Sequence, residues 1–208
     1  MNKRGQVTVF VIIGIVIIIL ILLLFFIRNK VSFGTQTQQN LEDQLPQIKK
    51  HIEECIVEIA APRLRQIGLQ GGFIETPEDT FRAYKGNKVS YLCYNIRNQE
   101  YCRSRVLRIK DMEEELNKFI LQDLQTQCIN INSFRRSGQN LQQGELVINT
   151  TIADDTVLVE ANLPIVLRRG DLIAEQSEFS AVIELPLGRL HQSSRDIINE
   201  EARSGSFD

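Results

Sequence analysis

The segment 145-ELVINTTIADDTVLVEANLPIVLRRGDLIAEQSEFSAVIEL-185 decides the fold. Side chains on a strand alternate between its two faces, so a period of two marks a half-buried sheet. Leu146, Ile148, Thr150 and Ile152 share one parity. So do Val157, Val159 and Ala161, and then Phe179, Ala181, Ile183 and Leu185. Asp154-Asp155 and Arg168-Arg169-Gly170-Asp171 have the polar and glycine composition of tight turns. The pattern predicts a three-stranded antiparallel meander over Glu145–Ala153, Thr156–Leu167 and Leu172–Leu185. Pro164 lacks an N–H and should distort the second strand or place it at an edge. Arg169-Gly170-Asp171 matches an integrin-binding tripeptide, but a hairpin tip asks for Gly and Asp in any case.

Outward from the strands the period changes to that of helices. Met112, Leu116, Phe119, Ile120 and Leu124 form one stripe, predicting a helix over Asp111–Gln127 with Asp111 as N-cap. Glu113, Glu114 and Glu115 point in three directions from its first turns, which reads as a solvated start. Ile48, Ile52, Cys55, Ile59 and Ile67 predict a second amphipathic helix over Pro46–Ile67, kinked or broken at Pro62 and capped by Gly68. Ser133–Gly144 reads as a loop, and Leu187–Ala202 as a short C-terminal helix. The expected fold class is therefore α+β, with two amphipathic helices covering one face of the meander. Tyr84, Tyr91, Tyr94 and Tyr101 gather between the two helix patterns, either as a recognition surface or as an ordinary strand edge.

The N-terminus is of another kind. Val7–Ile27 is apolar throughout, with Thr8 and Gly14 as small interruptions. At ~1.5 Å per residue a helix of that length would match a hydrocarbon core of roughly 30 Å, predicting a transmembrane helix. The domain plan that follows is a cytoplasmic or signal segment at 1–6, the membrane helix at 7–27 and a polar linker at 28–44. An exterior α+β domain follows at 45–203, with a frayed tail at 204–208. Lys3 and Arg4 before the run and Arg28 and Lys30 after it leave the charge rule nearly undecided. These four cations lie outside the domain, so the domain is more acidic than the whole-chain net charge of −2. That balance argues against a nucleic-acid binder.

Lys3-Arg4-Gly5-Gln6-Val7-Thr8-Val9-Phe10 resembles the class III signal peptide of archaeal type IV pilins. The resemblance implies cleavage between Gly5 and Gln6. Phe10 stands where many pilins carry a glutamate that registers subunits in the filament, a departure that bears on polymerisation more than on processing. Beyond the N-terminus the chain resembles a group of uncharacterised membrane-anchored surface proteins of small-genome (DPANN) archaea. That likeness rests on Cys55, on Gly68-Leu69-Gln70-Gly71-Gly72-Phe73-Ile74 and on Leu187-Gly188-Arg189-Leu190. It implies a place at the cell membrane and no particular chemistry.

Four cysteines, Cys55, Cys93, Cys102 and Cys128, allow three pairings. The short interval favours Cys93–Cys102, leaving Cys55 with Cys128; free thiols are the alternative in a reducing compartment. No CxxC pair exists, and neither His51 nor His191 lies near paired cysteines, so no metal or cofactor is expected. Gly68-x-x-Gly71-Gly72 follows a helix pattern and leads to an extended piece, the reverse of a phosphate loop. Asn149-Thr150-Thr151 is an N-glycosylation sequon on the face opposite Ile148, usable on an exported protein. The functional expectation is a single-pass, membrane-anchored cell-surface protein whose extracytoplasmic domain binds or assembles without catalysis. Its expected partners are the lipid bilayer through Val7–Ile27 and a protein or an envelope polymer. A pilin-like filament subunit is the alternative, and a membrane-tethered enzyme the third class.

Overall fold

A computed structural model describes residues 13–26, 41, 43–95, 97, 102–129, 131–134 and 138–204. The chain divides into two compact units, Met1–Gln44 and Leu45–Asp208. In the first, residues 13–26 form helix α1, and its apolar side chains from Ile13 (50 % exposed) to Phe26 (70 %) are open. Among the described residues no helix is long and apolar enough to cross a membrane. This corrects the expected transmembrane helix over Val7–Ile27. At ~1.5 Å per residue the described part, 13–26, is shorter than a core of roughly 30 Å, and the rest of the Val7–Ile27 run lies outside the described residues.

The second unit is a mixed α/β domain. Its elements in order are α2 (Leu45–Leu69), β1 (Phe81–Tyr84), β2 (Asn87–Ser90), β3 (Cys93–Asn95), β4 (Cys102–Ser104) and α3 (Ile109–Gln127). A 3-10 turn at Ile131–Phe134 leads to β5 (Asn140–Gln143), β6 (Val147–Ile152), β7 (Thr156–Arg169), β8 (Leu172–Glu184) and α4 (Leu187–Ser204). The expected three-stranded meander is corrected to a four-stranded sheet accompanied by two two-stranded sheets, β1–β2 and β3–β4. The long strand β7 is its axis. β8 pairs along β7 from Thr156↔Glu184 to Arg169↔Leu172. β6 pairs with the first part of β7 (Val147↔Asn162 to Ile152↔Val157), and β5 with the last (Gln143↔Ile165 to Asn140↔Arg168).

β5 lies within the stretch read as a loop. Asn140, Gln142 and Gln143 carry no apolar alternation, so the sequence signal is missing although the backbone pairs. The register of β7 with β8 shifts between Asn162 and Ile165, where Pro164 sits. Pro164 cannot donate, but its carbonyl accepts the Gly144 N–H at 2.7 Å. A Cβ on Gly144 would stand 3.0 Å from the Pro164 Cβ, so glycine suits this approach.

α2 and α3 pack against the sheet, α2 on β8 and α3 on β6. The core joins Ile48, Ile52, Ile56, Leu64 and Ile67 of α2 with Leu116, Ile120 and Leu124 of α3. On the sheet side it takes in Val157, Val159, Leu163, Ile165, Leu167 and Phe179. Burying each such side chain contributes about 1.5–3 kcal/mol. α2 is one helix through Pro62; buried Ile59, Ala60, Leu64 and Ile67 on both sides of the proline offset the ~3 kcal/mol it costs. The helix ends later than Gly68. Gly71 has φ 75° and the Gly72 N–H reaches the Ile67 carbonyl at 2.9 Å, so Gly71 is the left-handed cap.

α3 also begins earlier than expected, with Arg108 as N-cap. Asp111 sits one turn in, and its Oδ2 accepts the Arg108 N–H at 3.2 Å. The glutamates of that turn are not simply solvated. Glu115 Oε1 accepts the N–H groups of Ile74 (3.0 Å) and Glu75 (2.8 Å). Glu113 Oε1 accepts the N–H of Ile152 at 2.8 Å, and Glu53 of α2 accepts that of Ser180 at 3.3 Å. Ile152 and Ser180 belong to strands that pair on one side only, so these carboxylates cover sheet edges that would otherwise be open.

Candidate functional site

The four cysteines form two disulfides, Cys55–Cys128 and Cys93–Cys102. The first ties the middle of α2 to the C-cap of α3; the second staples the β3–β4 hairpin. Between the same helices, Asp123 Oδ2 accepts Arg63 Nε at 2.8 Å and pairs with Nη2 at 2.7 Å. The Arg63 guanidinium lies 5.3 Å from the Phe119 ring centre. Asn149 is exposed on β6 and donates to Glu160 Oε2 at 3.1 Å across the strand pair. The expected processing positions Gly5 and Gln6 lie outside the described residues. The His51 and Phe134 ring centres lie 5.1 Å apart, with the rings tilted by 53°. Among the described residues no three His, Cys, Asp or Glu side chains gather as a metal set.

Among the described residues lies an apolar groove of about 190 Å³. Its floor is the end of α2, with Ile67, Gly68, Gly71 and Gly72. Its walls are Leu92, Val106, Leu107 and Met112 on one side and Leu187, Leu190, His191 and Ser194 of α4 on the other. The glycines keep the floor open: a Cβ on Gly71 would meet Leu92 at 3.2 Å, and one on Gly72 would meet Leu107 at 3.7 Å. His191 Nε2 lies 2.6 Å from the Leu107 carbonyl and fixes α4 to the segment before α3.

The start of α4 is seated on the β6–β7 turn. The Arg189 N–H reaches the Asp154 carbonyl at 3.2 Å, and its guanidinium pairs with Asp155. Gly188 lies directly on Ala153 and Asp154. Gly68–Ile74 and Leu187–Leu190, far apart in sequence, therefore meet at one place. Of the remaining lining residues, Ile67 and Met112 belong to the helix stripes read in the sequence, whereas nothing in the local sequence marks Leu92, Val106 or Leu107.

No family model, curated protein or solved structure matches the chain. Electrostatics add one local pair. The hydrogen bond from Arg108 holds the Asp111 carboxyl below the usual carboxylate range, and Asp111 in turn raises Arg108. Both belong to the start of α3, next in sequence to the segment Val106–Leu107 that walls the groove.

Proposed function

We propose that this chain is a non-catalytic binding protein of an oxidising compartment, held at a membrane by its apolar N-terminal stretch. The groove is its site, and the occupant is a large apolar side chain of a partner polypeptide. The carrying observation is the groove itself. At about 190 Å³ it is smaller than the ~300–1,000 Å³ of a small-molecule site but large enough for one such side chain. Leu190 (54 % exposed) and Ile197 (62 %) continue the apolar surface along α4, so a peptide anchored in the groove has further surface to cover. Two disulfides support an extracytoplasmic setting. The open apolar side chains of α1 support contact with lipid. The resemblance to surface proteins of small-genome archaea belongs to the same proposal.

Hydrogen exchange of the full chain in detergent micelles, with and without an acetylated Phe-containing tripeptide amide, tests the site. Protection over 105–112 and 187–194, abolished by Leu190→Asp, is the expected result. Equal exchange with and without peptide overturns it. Release of the native protein from membranes by alkaline carbonate would overturn the lipid contact separately.

A further inference from the structure

Asn149-Thr150-Thr151 is the single Asn-x-Ser/Thr sequence of the chain, with no proline in the middle place. The groove makes no use of it. Side chains two apart on a strand share a face. Asn149 and Thr151 therefore stand together on β6, both exposed, while Thr150 between them is buried. Ile148, Thr150 and Ile152 form the buried set of this strand, on the side where α3 packs. Asn149 and Thr151 belong to the opposite, outer face. β6 pairs with β7 alone, so the sequence lies on an edge of the sheet.

Residues directly opposite in an antiparallel pair also share a face. Glu160 stands opposite Asn149, Asn162 opposite Val147 and Leu158 opposite Thr151. Across β7, Leu158 is in turn opposite Val182 and Glu160 opposite Ser180. Val147 is 57 % exposed, Val182 62 %, and Leu158 is half-buried. Three apolar side chains thus lie open around Asn149, on a sheet whose other face carries α2 and α3. The Asn149 amide has two N–H bonds. One donates to Glu160 Oε2 at 3.1 Å. A glycosylated amide keeps one N–H, so a sugar on Nδ2 leaves a donor for Glu160.

We propose that Asn149 carries an N-linked glycan and that its first sugars cover Val147, Leu158 and Val182. This rests on the extracytoplasmic setting of the proposed function but not on its groove. The donor is a lipid-linked oligosaccharide phosphate, used by a membrane-bound transferase. Nδ2 of Asn149 attacks the anomeric carbon of the first sugar. The carbon–nitrogen bond forms as the bond from that carbon to the phosphate oxygen breaks. The electron pair leaves on the lipid phosphate, and one amide proton passes to a base of the transferase. Asn149 of the folded chain sits in a paired strand, so transfer takes place on the extended chain before β6 joins β7.

Peptide mapping by mass spectrometry, on unreduced native protein from its own cells, tests the site. The expected result is a glycan mass on the peptide containing Asn149. That mass should be lost completely in Asn149→Gln and Thr151→Val made in the same cells, and kept in Thr151→Ser. A bare Asn149 in protein with both disulfides formed overturns the glycan and leaves the exterior setting standing. A bare Asn149 together with free thiols overturns both. Hydroxyl-radical footprinting reads the cover. Val147, Leu158 and Val182 should be oxidised less in the glycosylated protein than in Asn149→Gln, and equal oxidation overturns that part.

Discussion

Gly188 lies against the Ala153 carbonyl so closely that a Cβ there would stand 2.8 Å from the carbonyl carbon and 3.0 Å from the Asp154 Cα. Both neighbours are backbone in a tight turn and cannot swing aside. Gly188→Ala should therefore push α4 off the β6–β7 turn and cost about 1–3 kcal/mol. A lowered melting temperature, with faster hydrogen exchange over 187–194, would check it; an unchanged melt would contradict the packing described.

The two disulfides close very different loops. The Cys55–Cys128 separation is 73 residues and the Cys93–Cys102 separation 9. By loop entropy the first stabilises by about 4 kcal/mol and the second by about 2.5 kcal/mol. Cys55→Ser/Cys128→Ser should shift the urea midpoint further than Cys93→Ser/Cys102→Ser. Mass spectrometry of the native protein should find no titratable thiol.

Arg63 and Asp123 clamp α2 to α3 with side chains only 28 % and 16 % exposed. Removing one partner strands the other charge. Asp123→Ala should cost about 2–3 kcal/mol, and the double change Arg63→Met/Asp123→Leu appreciably less, because no buried charge is left over. Denaturant titration of the single and double variants measures the difference.

Asp111 gives the fold one identifiable acid-sensitive contact. Its carboxyl is lowered in the folded state, chiefly by the Arg108 side-chain hydrogen bond. Its contribution is thus fully present above the ordinary carboxylate pKa of about 4 and is lost as pH falls through the depressed folded value. Asp111→Asn should lower stability at neutral pH, and the gap from wild type should close in strong acid. Urea midpoints across the acid range would show it; a gap that widens in acid would contradict it.

Glu115 accepts two backbone N–H groups from the Ile74–Glu75 segment. Glu115→Ala should free both and cost about 1–3 kcal/mol, with Glu115→Gln in between. Hydrogen exchange at Ile74 and Glu75 reads the loss directly.

The α2 and α3 stripes and the alternation along β6, β7 and β8 were readable in the sequence, because burial on one face imposes a period on the residues that face it. Cys93 with Cys102 was readable for the same local reason: the partners are near in the chain. Other features carry no such mark. β5 pairs through its backbone while Leu141 is its one apolar side chain, too little to mark a strand. Glu113 and Glu115 look solvated until strand and loop amides arrive opposite them.

Periodicity and composition by themselves determined which faces of these elements are buried and which cysteines could pair. Only the tertiary structure decided that Gly68–Gly72, Val106–Leu107 and Leu187–Leu190 wall one groove. A side chain's face is set by its own helix or strand geometry. Its neighbours from distant segments are set by how whole elements pack, which no local pattern encodes.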